Sequence, residues 1–589
     1  MTLGTTLTSL EQAQILRRLG LAGEEDLGAL YRFKHSLTQD AAYRSLPRRQ
    51  RQQVHQRVAE CYETLFAGRL DEHAAVLAYH YGEAGDQQKL LEYSQRAGDA
   101  ALRVYATVEA VAHYEQAIGA ALTGSQPAGK QLMYLYKQRG RALELASHHD
   151  EALAGYEQME RQAQALGFRD MELTAVISQA LLRCTATVLF DAEAGRDLVV
   201  RALALAKELG DRASMARILW VRMNLHRLSG NQDQALKDGE ASLAIARELD
   251  LREQAAYVLN DMTYILQGFI DQTRVVEVNA EATAYWRDAG NQPMLADSLA
   301  ATVWSQYAMG NFKQALAASD EAHEISVRIG NVWGQSFSRM TTGLVYLETG
   351  ELDRAWAAMN ESLEKGEEAG FPVPPTMVSP QKALLLALLG DFVGAREVLR
   401  PLLVSGTQVF PESIAFTYVA WIETLLEEGL VAEAVTRLSG SDLGSLEESG
   451  VWGMVHGVGT MIRYHLATGD ASLALDTANK HIATLLEMGL RAPLPDCLLE
   501  KAHALLALDR VEEARTSLNE ALQSSRELGS RRVLWQIFAE LAEITPDANE
   551  AARLRQEAAA VVAYLADHTP TPELRASFLA LPDVRRVLG

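Results

Sequence analysis

The 589-residue sequence predicts an all-α protein, a solenoid of paired antiparallel helices, and three observations predict it. Gly230, Gly310, Gly350, Gly390, Gly429 and Gly469 mark one set of turns, spaced at 40 residues or its double with almost no slippage. Gly210, Gly290, Gly330, Gly370, Gly450, Gly489 and Gly529 mark a second set, offset from the first by about 20 residues. Five residues after the first-set turns stands a small side chain: Ala235, Ala315, Ala355, Ala395, Ala434, Ala474 and, in the same register, Ala514, with Val275 the one interruption. A fixed period between 20 and 50 residues marks an architecture in which each unit packs only on its neighbours.

The elements follow in order. Residues 1–46 read as mixed short elements and a linker, outside the repeat. Residues 47–125 read as a helical adaptor with the first repeats. Pro47 suits a first helical turn, because its missing N–H has no intrahelical partner there. Val54, Val58, Cys61, Tyr62 and Leu65 then form a stripe at three- and four-residue spacing. Helices are predicted over 71–83, 86–104 and 107–122, with Ala110, Tyr114 and Ala117 on one face of the last. After the connection Thr123–Gly129, the array proper occupies 126–545, beginning with helices near 130–146, 149–166, 170–188 and 191–209. Residues 546–589 read as a helical cap, with a helix over 547–566 and a proline-punctuated tail.

An 18-residue helix is a rod of roughly 27 Å, and two such rods joined by one or two residues must run antiparallel. Twenty or more packed in series cannot make one globule, so they coil into a superhelix. The ladder alanines allow close approach, where a bulkier side chain would overpack by roughly 1–3 kcal/mol. Phe371–Pro380, with Pro372, Pro374, Pro375 and Pro380, is the largest irregularity. It predicts a shortened helix or a bend, with peptide recognition as the lesser reading.

Composition excludes several functions. The net charge is −22, and residues 1–99 hold only −1 of it, so the repeats carry −21. Broad nucleic-acid or anionic-membrane surfaces need the opposite sign. Cys61, Cys184 and Cys497 lie far apart without CxxC spacing and read as buried or half-buried thiols of a cytoplasmic protein. No apolar run reaches the ~18 residues of a membrane span, and no signal peptide opens the sequence.

Motifs that suggest chemistry lack their context. Gly124–Gln131 nearly spells a phosphate-binding loop, but a helix rather than a strand precedes it and Gln131 stands where a hydroxyl is needed; it reads as a linker. His148-His149-Asp150 sits in an interhelical turn without metal-ligand spacing. The glycines of Trp452–Gly459 read as close helix packing, since no nucleophile elbow accompanies them. Arg44, Arg48, Arg49, Arg51 and Arg57 read as a solvated face or a contact with a neighbouring domain, because no aromatic platform interleaves them. No cofactor site and no catalytic set emerges.

The segments "YAMGNFKQALAASDEA" (307–322) and "GLVYLETGELDRAWAAM" (343–359) resemble tetratricopeptide repeats. Gly343 and Tyr346 match the small and aromatic positions of a first helix, Gly350 the turn, and Ala315, Ala322 and Ala355 the small residues of a second helix. The 40-residue unit is longer than usual and resembles the sensor region of the maltose-regulon transcription activator and its relatives. Its length would also suit HEAT repeats, but the turn-then-alanine signature does not. The resemblance implies a right-handed superhelical solenoid. It also implies a concave groove lined by the second, fifth, ninth and twelfth positions of each first helix. Carried to this register, those positions give Arg217, Tyr257, Asp297 and Phe337; Trp220 and Asn260; Asn224, Tyr264 and Trp304; and Arg227, Gln267 and Tyr307. Aromatic, amide and guanidinium groups of this kind suit an extended peptide or small ligand; interhelical packing is the competing reading for half of them.

A second resemblance is narrower. "YRFKHSLTQDAAYRSL" followed by "RRQRQQVHQRVAE" is similar to the segment joining ATPase and winged-helix modules to helical repeats in signal-transduction ATPases with numerous domains. Phe33, His35, Leu37, Ala41, Ala42, Tyr43, Leu46, His55 and Ala59 carry the match. It implies a noncatalytic sensor or scaffold arm of such an ATPase, or of a transcriptional or cyclase regulator, with an upstream ATPase domain as an intramolecular partner. Its ligand would be a protein, a peptide or a small-molecule inducer. The alternative is a free-standing adaptor that binds peptide segments in its groove.

Overall fold

The computed structural model describes residues 3–21, 29–124, 128–267, 272–404, 411–439 and 450–589. Helix α1 (Leu3–Gln12) leads to strands β1 (Leu16–Leu21) and β2 (Ala29–Phe33), which pair antiparallel with an irregularity between Arg18 and Gly20. Then come α2 (Ser36–Ser45), α3 (Arg48–Leu65), α4 (Ala74–Ala84), α5 (Gln87–Arg103), α6 (Thr107–Thr123) and α7 (Gly129–Leu145). The paired helices continue as α8 (His149–Leu166), α9 (Arg169–Arg183), α10 (Ala192–Leu209), α11 (Arg212–Leu228), α12 (Gln232–Glu248), α13 (Arg252–Leu266), α14 (Gln272–Asp288), α15 (Gln292–Ala308) and α16 (Phe312–Arg328). One first helix is split into α17 (Val332–Arg339) and α18 (Thr342–Thr349), followed by α19 (Leu352–Glu368), α20 (Val373–Leu388), α21 (Phe392–Val404), α22 (Pro411–Glu427) and α23 (Val431–Ser439). The chain ends with α24 (Gly450–Ala467), α25 (Ala471–Glu487), α26 (Leu494–Ala507), α27 (Val511–Leu528), α28 (Leu534–Ile544), α29 (Ala548–Asp567), α30 (Pro572–Ala580) and α31 (Pro582–Leu588). By internal contacts the chain divides into residues 1–142 and 143–589.

The larger unit is an all-α array of tetratricopeptide-like helix pairs. Each helix packs on the next, and first helices also touch one another, as in α11·α13, α13·α15, α20·α22, α22·α24 and α24·α26. The alanine ladder is fully buried from Ala235 to Ala514, and Val275 takes the same place. Most turn glycines adopt left-handed backbone, and Asp250 and Asp509 take that conformation where the 40-residue step offers no glycine. Gly450 instead opens α24, with residues 440–449 before it outside the described set.

Three local expectations change. Helix α9 ends at Arg183 rather than near 188, because Asp191 N–H donates to Arg183 O (3.0 Å) and Leu189 N–H to Thr187 Oγ1 (3.2 Å), closing a turn. The α17–α18 break was not visible in the periodicity. Gln381 Nε2 donates to Met340 O (2.9 Å), and Ser319 Oγ and Thr342 Oγ1 both donate to Ser338 O, so side chains take carbonyls that a continuous helix would use. The prolines of 371–380 do not shorten α20: Pro374 and Pro375 occupy its first turn, where no N–H is needed, and Pro380 lies inside a 16-residue helix.

In the smaller unit the expected α3 stripe is displaced. His55 and Ala59 are the buried positions, while Val54, Cys61 and Leu65 are exposed. Polar groups face inward here because they find partners. Tyr43 OH meets His55 Nε2 (3.0 Å), His55 Nδ1 meets His80 Nδ1 (2.8 Å), and Glu63 accepts from Tyr81 (2.7 Å), Tyr93 and Lys89 (2.9 Å). Cys184 and Cys497 are buried, and burial raises the Cys184 thiol to about 12. Among the described residues no helix is long and apolar enough to cross a membrane.

Contacts about 182 residues apart tie distant repeats of the larger unit together. Arg491 and Ala492 N–H donate to Ala308 O (2.9 and 3.1 Å), and Arg531 N–H donates to Glu348 O (2.7 Å). Arg532 Nε donates to Glu348 Oε1 (2.8 Å) and Ser530 Oγ to Glu348 Oε2 (3.0 Å). Asp353 N–H bonds to His568 O (2.6 Å), bringing the terminal helices onto α19.

Candidate functional site

The candidate site is the strip formed by first helices α11, α13, α15 and α17, where the twelve predicted groove residues fall. A first helix contributes one face to its neighbours and one to the strip, so three- and four-residue spacing carries side chains along its length. Most of the polar ones are bonded to each other. Trp220 Nε1 and Asn224 Nδ2 both donate to Asp261 Oδ2 (2.7 Å each). Asn260 Nδ2 donates to Asp297 Oδ2 (2.5 Å) and to Asp261 Oδ1 (3.2 Å), and Ser298 Oγ donates to Asn260 Oδ1. Gln267 Nε2 donates to Ala301 O (3.0 Å) and Ser305 Oγ (3.2 Å).

The aromatic members are arranged in two groups. Trp220 packs on Tyr257 (5.3 Å between centroids), which meets Trp286 edge-on (4.7 Å). Tyr264 meets Phe337 (6.0 Å), which lies against Trp333 (5.0 Å) and Phe371 (6.3 Å). The Arg227 guanidinium stands over the Tyr264 ring at 5.3 Å and donates to Asn224 Oδ1 (3.3 Å).

Burial sorts the twelve. Trp220, Asn224, Asn260, Gln267, Trp304, Tyr307 and Phe337 are buried, whereas Arg217, Arg227, Tyr257, Tyr264 and Asp297 are half-buried. Tyr307 lies apart from the rest, its ring 6.1 Å from His456 of α24 and nearly parallel to it. Arg217 Nε is buried without a hydrogen-bond partner among the described residues. Asp261, which accepts from three of these side chains, is a neighbour that the register missed. A signal for it exists: Asn224/Asp261 and Asn260/Asp297 repeat one Asn-to-Asp step of 37 residues.

Electrostatics follow from the crowding. Burial, and then the charge of Asp261, raises the Asp297 carboxyl to about 7, although Asn260, Arg227 and Tyr264 pull the other way. Burial, with Asp297 and Asp261 beside it, raises the Tyr264 phenol well above its ordinary value, so it stays protonated as a donor.

A second cluster, not predicted, sits on α22, α24, α26 and the contact of α18 with the turn between α27 and α28. Arg463 pairs with Glu423 (2.6 Å), Asp496 (3.2 Å) and Glu500 (2.8 Å); Arg532 pairs with Glu348 (2.8 Å) and reaches Asp496 (3.6 Å). Burial would raise Asp496 and Glu500, but Arg463, with Arg532 beside the first and His503 beside the second, holds both below the usual carboxylate range. Arg463 and its carboxylates lie one repeat apart, whereas Glu348 and Arg532 stand 184 residues apart, a pairing that no local spacing shows. Among the described residues no group of three or more His, Cys, Asp or Glu is arranged to hold a metal. The phosphate-loop-like segment spans residues 125–127 and the Trp452–Gly459 motif begins with side chains 452–454, all outside the described set.

Comparison with known proteins gives structural likeness only. No family model matches the sequence, and no curated protein matches it. A solved chain from the APC/C hetero-tetramer Cut9–Hcn1 is similar over 94% of this chain and 99% of its own, at 13% identity and a TM-score of 0.43. Yeast Tom70 is similar over 78% of this chain and 96% of its own, at 14% identity and a TM-score of 0.29. At these values neither bears on what this chain binds.

Proposed function

We propose that the chain is a noncatalytic recognition module whose binding surface is the α11–α13–α15–α17 strip. The observation that supports this reading is the division of labour along the strip. Buried amides bonded to the half-buried carboxylates of Asp261 and Asp297 fix the helices, and Arg227, Tyr257 and Tyr264 remain half-buried beside them. Aromatic and guanidinium groups held rigidly in this way lose little entropy on binding, and such residues carry most of the energy at interfaces. The partner is a protein or peptide segment.

Selection of peptides from a random displayed library against the intact chain tests the reading. Tyr257→Ala and Arg227→Ala should each weaken the selected peptides about tenfold or more, the size expected of an interface hot spot. Arg287→Ala, which removes an exposed ion pair with Glu321 (2.8 Å), should leave them unchanged. Equal loss in all three variants, or in none, would remove the strip from consideration. Asn260 and Trp304 are poor probes because both are buried.

The finer reading is a sensor or scaffold arm of a cytoplasmic signalling ATPase or of a transcriptional or cyclase regulator, responding to a protein or a small-molecule inducer and restraining an upstream ATPase domain. It rests on the resemblance over residues 31–59. Two matched residues, Tyr43 and His55, are bonded to each other at 3.0 Å, which supports treating the segment as a unit. A free-standing adaptor accounts equally for the strip. An open reading frame continuing upstream into a phosphate-loop ATPase separates the two.

A further inference from the structure

The 182-residue contacts follow a corner rule. A turn between the second helix of one pair and the first helix of the next carries the sequence Glu, Leu or Met, Gly or Asp, any residue, Arg at 208–212, 248–252, 487–491 and 527–531. Two of these corners are seated. Leu528 presses on Gly310 and Arg491 flanks it, so that a Cβ at Gly310 would collide with the Leu528 side chain and lie 3.3 Å from Arg491 Cβ. Gly350, at φ +82°, is covered in the same way by Arg531 Cβ (3.1 Å) and by Leu565 (2.8 Å). The seat is the glycine turn that ends a first helix: Ala308 O, two residues before Gly310, accepts from Arg491, and Glu348 O, two residues before Gly350, accepts from Arg531. Gly390 is closed by Leu581 (3.0 Å) of the terminal helices.

Among the described residues two such glycines, Gly429 and Gly469, and two such corners are open. Among the described residues nothing lies within 4 Å of a Cβ placed at Gly429 or Gly469, both of which have left-handed backbone. Residues 466–469, Leu-Ala-Thr-Gly, repeat the seated pattern Leu-Glu-Thr-Gly of 347–350. The unseated corners are Glu208–Arg212 and Glu248–Arg252. Leu249 is 38% exposed. The unseated corners stand 40 residues apart and so do the unseated glycines, the spacing with which 487–491 and 527–531 meet Gly310 and Gly350.

We infer that a second copy of this chain supplies the missing halves. Leu249 of one copy sits on Gly429 of the next, as Leu528 sits on Gly310, and the N–H groups of Arg212 and Arg252 face the carbonyls of Glu427 and Ala467, as those of Arg491 and Arg531 face Ala308 and Glu348. The contact joins unlike surfaces, so it propagates head to tail and does not close by two-fold symmetry. It reuses a geometry that the chain already makes with itself. With two corners per interface the area is small and the association is weak and concentration-dependent.

Sedimentation velocity of the full chain over a series reaching about 0.3 mM suits an interface of that class. The weight-average mass should rise above the monomer's 64.6 kDa with concentration. Leu249→Asp and Ala467→Arg both alter exposed residues, and each alone should remain monomeric. An equimolar mixture of the two should recover a 1:1 dimer and nothing longer, because one good corner and one good seat survive between them. Helical circular dichroism verifies each fold, and Leu249→Ser serves as a second corner variant. A wild type that is monomeric throughout, a mixture that fails to pair, or a single variant that associates like wild type would overturn the inference.

Discussion

Asp297 shows how one side chain can belong to the strip and strain it. Its carboxyl accepts from Asn260 and Tyr264, yet burial and the neighbouring Asp261 keep its folded-state pKa near 7 against an ordinary value of 3.8. The native state therefore holds this proton more tightly than the unfolded chain does. Its contribution to stability is complete below about pH 4 and is lost as pH rises through about 7. Asp297→Asn keeps an acceptor for Asn260 and cannot ionise. It should raise stability at pH 8 by about 1–2 kcal/mol and change little at pH 4, since each pKa unit is worth ~1.4 kcal/mol and the site is only half-buried. Urea denaturation at the two pH values reads this directly, and an equal effect at both would contradict the assignment.

At the scale of the helix pair, the alanine ladder sets the packing distance. Ala355 is fully buried where α19 meets α17 and α18, while Ala357 on the same helix is exposed. Ala355→Leu should cost about 1–3 kcal/mol by overpacking, and Ala357→Leu should be close to neutral. Thermal melts of the two variants compare identical chemistry at positions that differ only in burial. Along the outer face, second helices are laced by exposed pairs such as Arg247–Glu281 (3.0 Å), Arg274–Glu240 (3.0 Å) and Arg287–Glu321 (2.8 Å). Such pairs contribute little individually, about 0–1 kcal/mol, so the apolar ladder and not this lacing fixes the repeat.

Across residues 143–589 the contacts between distant repeats decide which surfaces remain open. Glu348 is the central group, accepting from Arg532 and Ser530 through its side chain and from Arg531 and Arg532 through its carbonyl oxygen. Glu348→Ala leaves the Arg532 guanidinium with Asp496 at 3.6 Å and should destabilise the unit by about 3 kcal/mol or more, as expected for a broken buried pair. Hydrogen exchange should quicken together in residues 345–353 and 528–534, which are adjacent only through this contact. Unchanged protection on either side would show that the contact does not hold the repeats together. Asp496 and Glu500 work in the opposite pH sense to Asp297. Their lowered pKa values give stability that is present above about pH 4 and lost as pH falls below it.

The sequence by itself determined the helix pairs, their period and the buried ladder, because each depends on neighbours within about 40 residues and repeats its own signal. The groove register was supplied by the tetratricopeptide resemblance, and it carries Trp220, Asn224, Asn260 and Asp297 onto neighbouring first helices. It did not show that Asn224 and Asn260 are occupied by Asp261 and Asp297, because hydrogen-bond partners depend on side-chain geometry that spacing leaves open. Polar inward positions such as His55 also escaped a reading based on apolar stripes. Only the tertiary structure decided that Tyr307 meets His456, that Glu348 meets Arg532, and which glycine corners are seated. Those meetings depend on the rotation accumulated over more than 100 residues, a sum of small angles that no local pattern encodes.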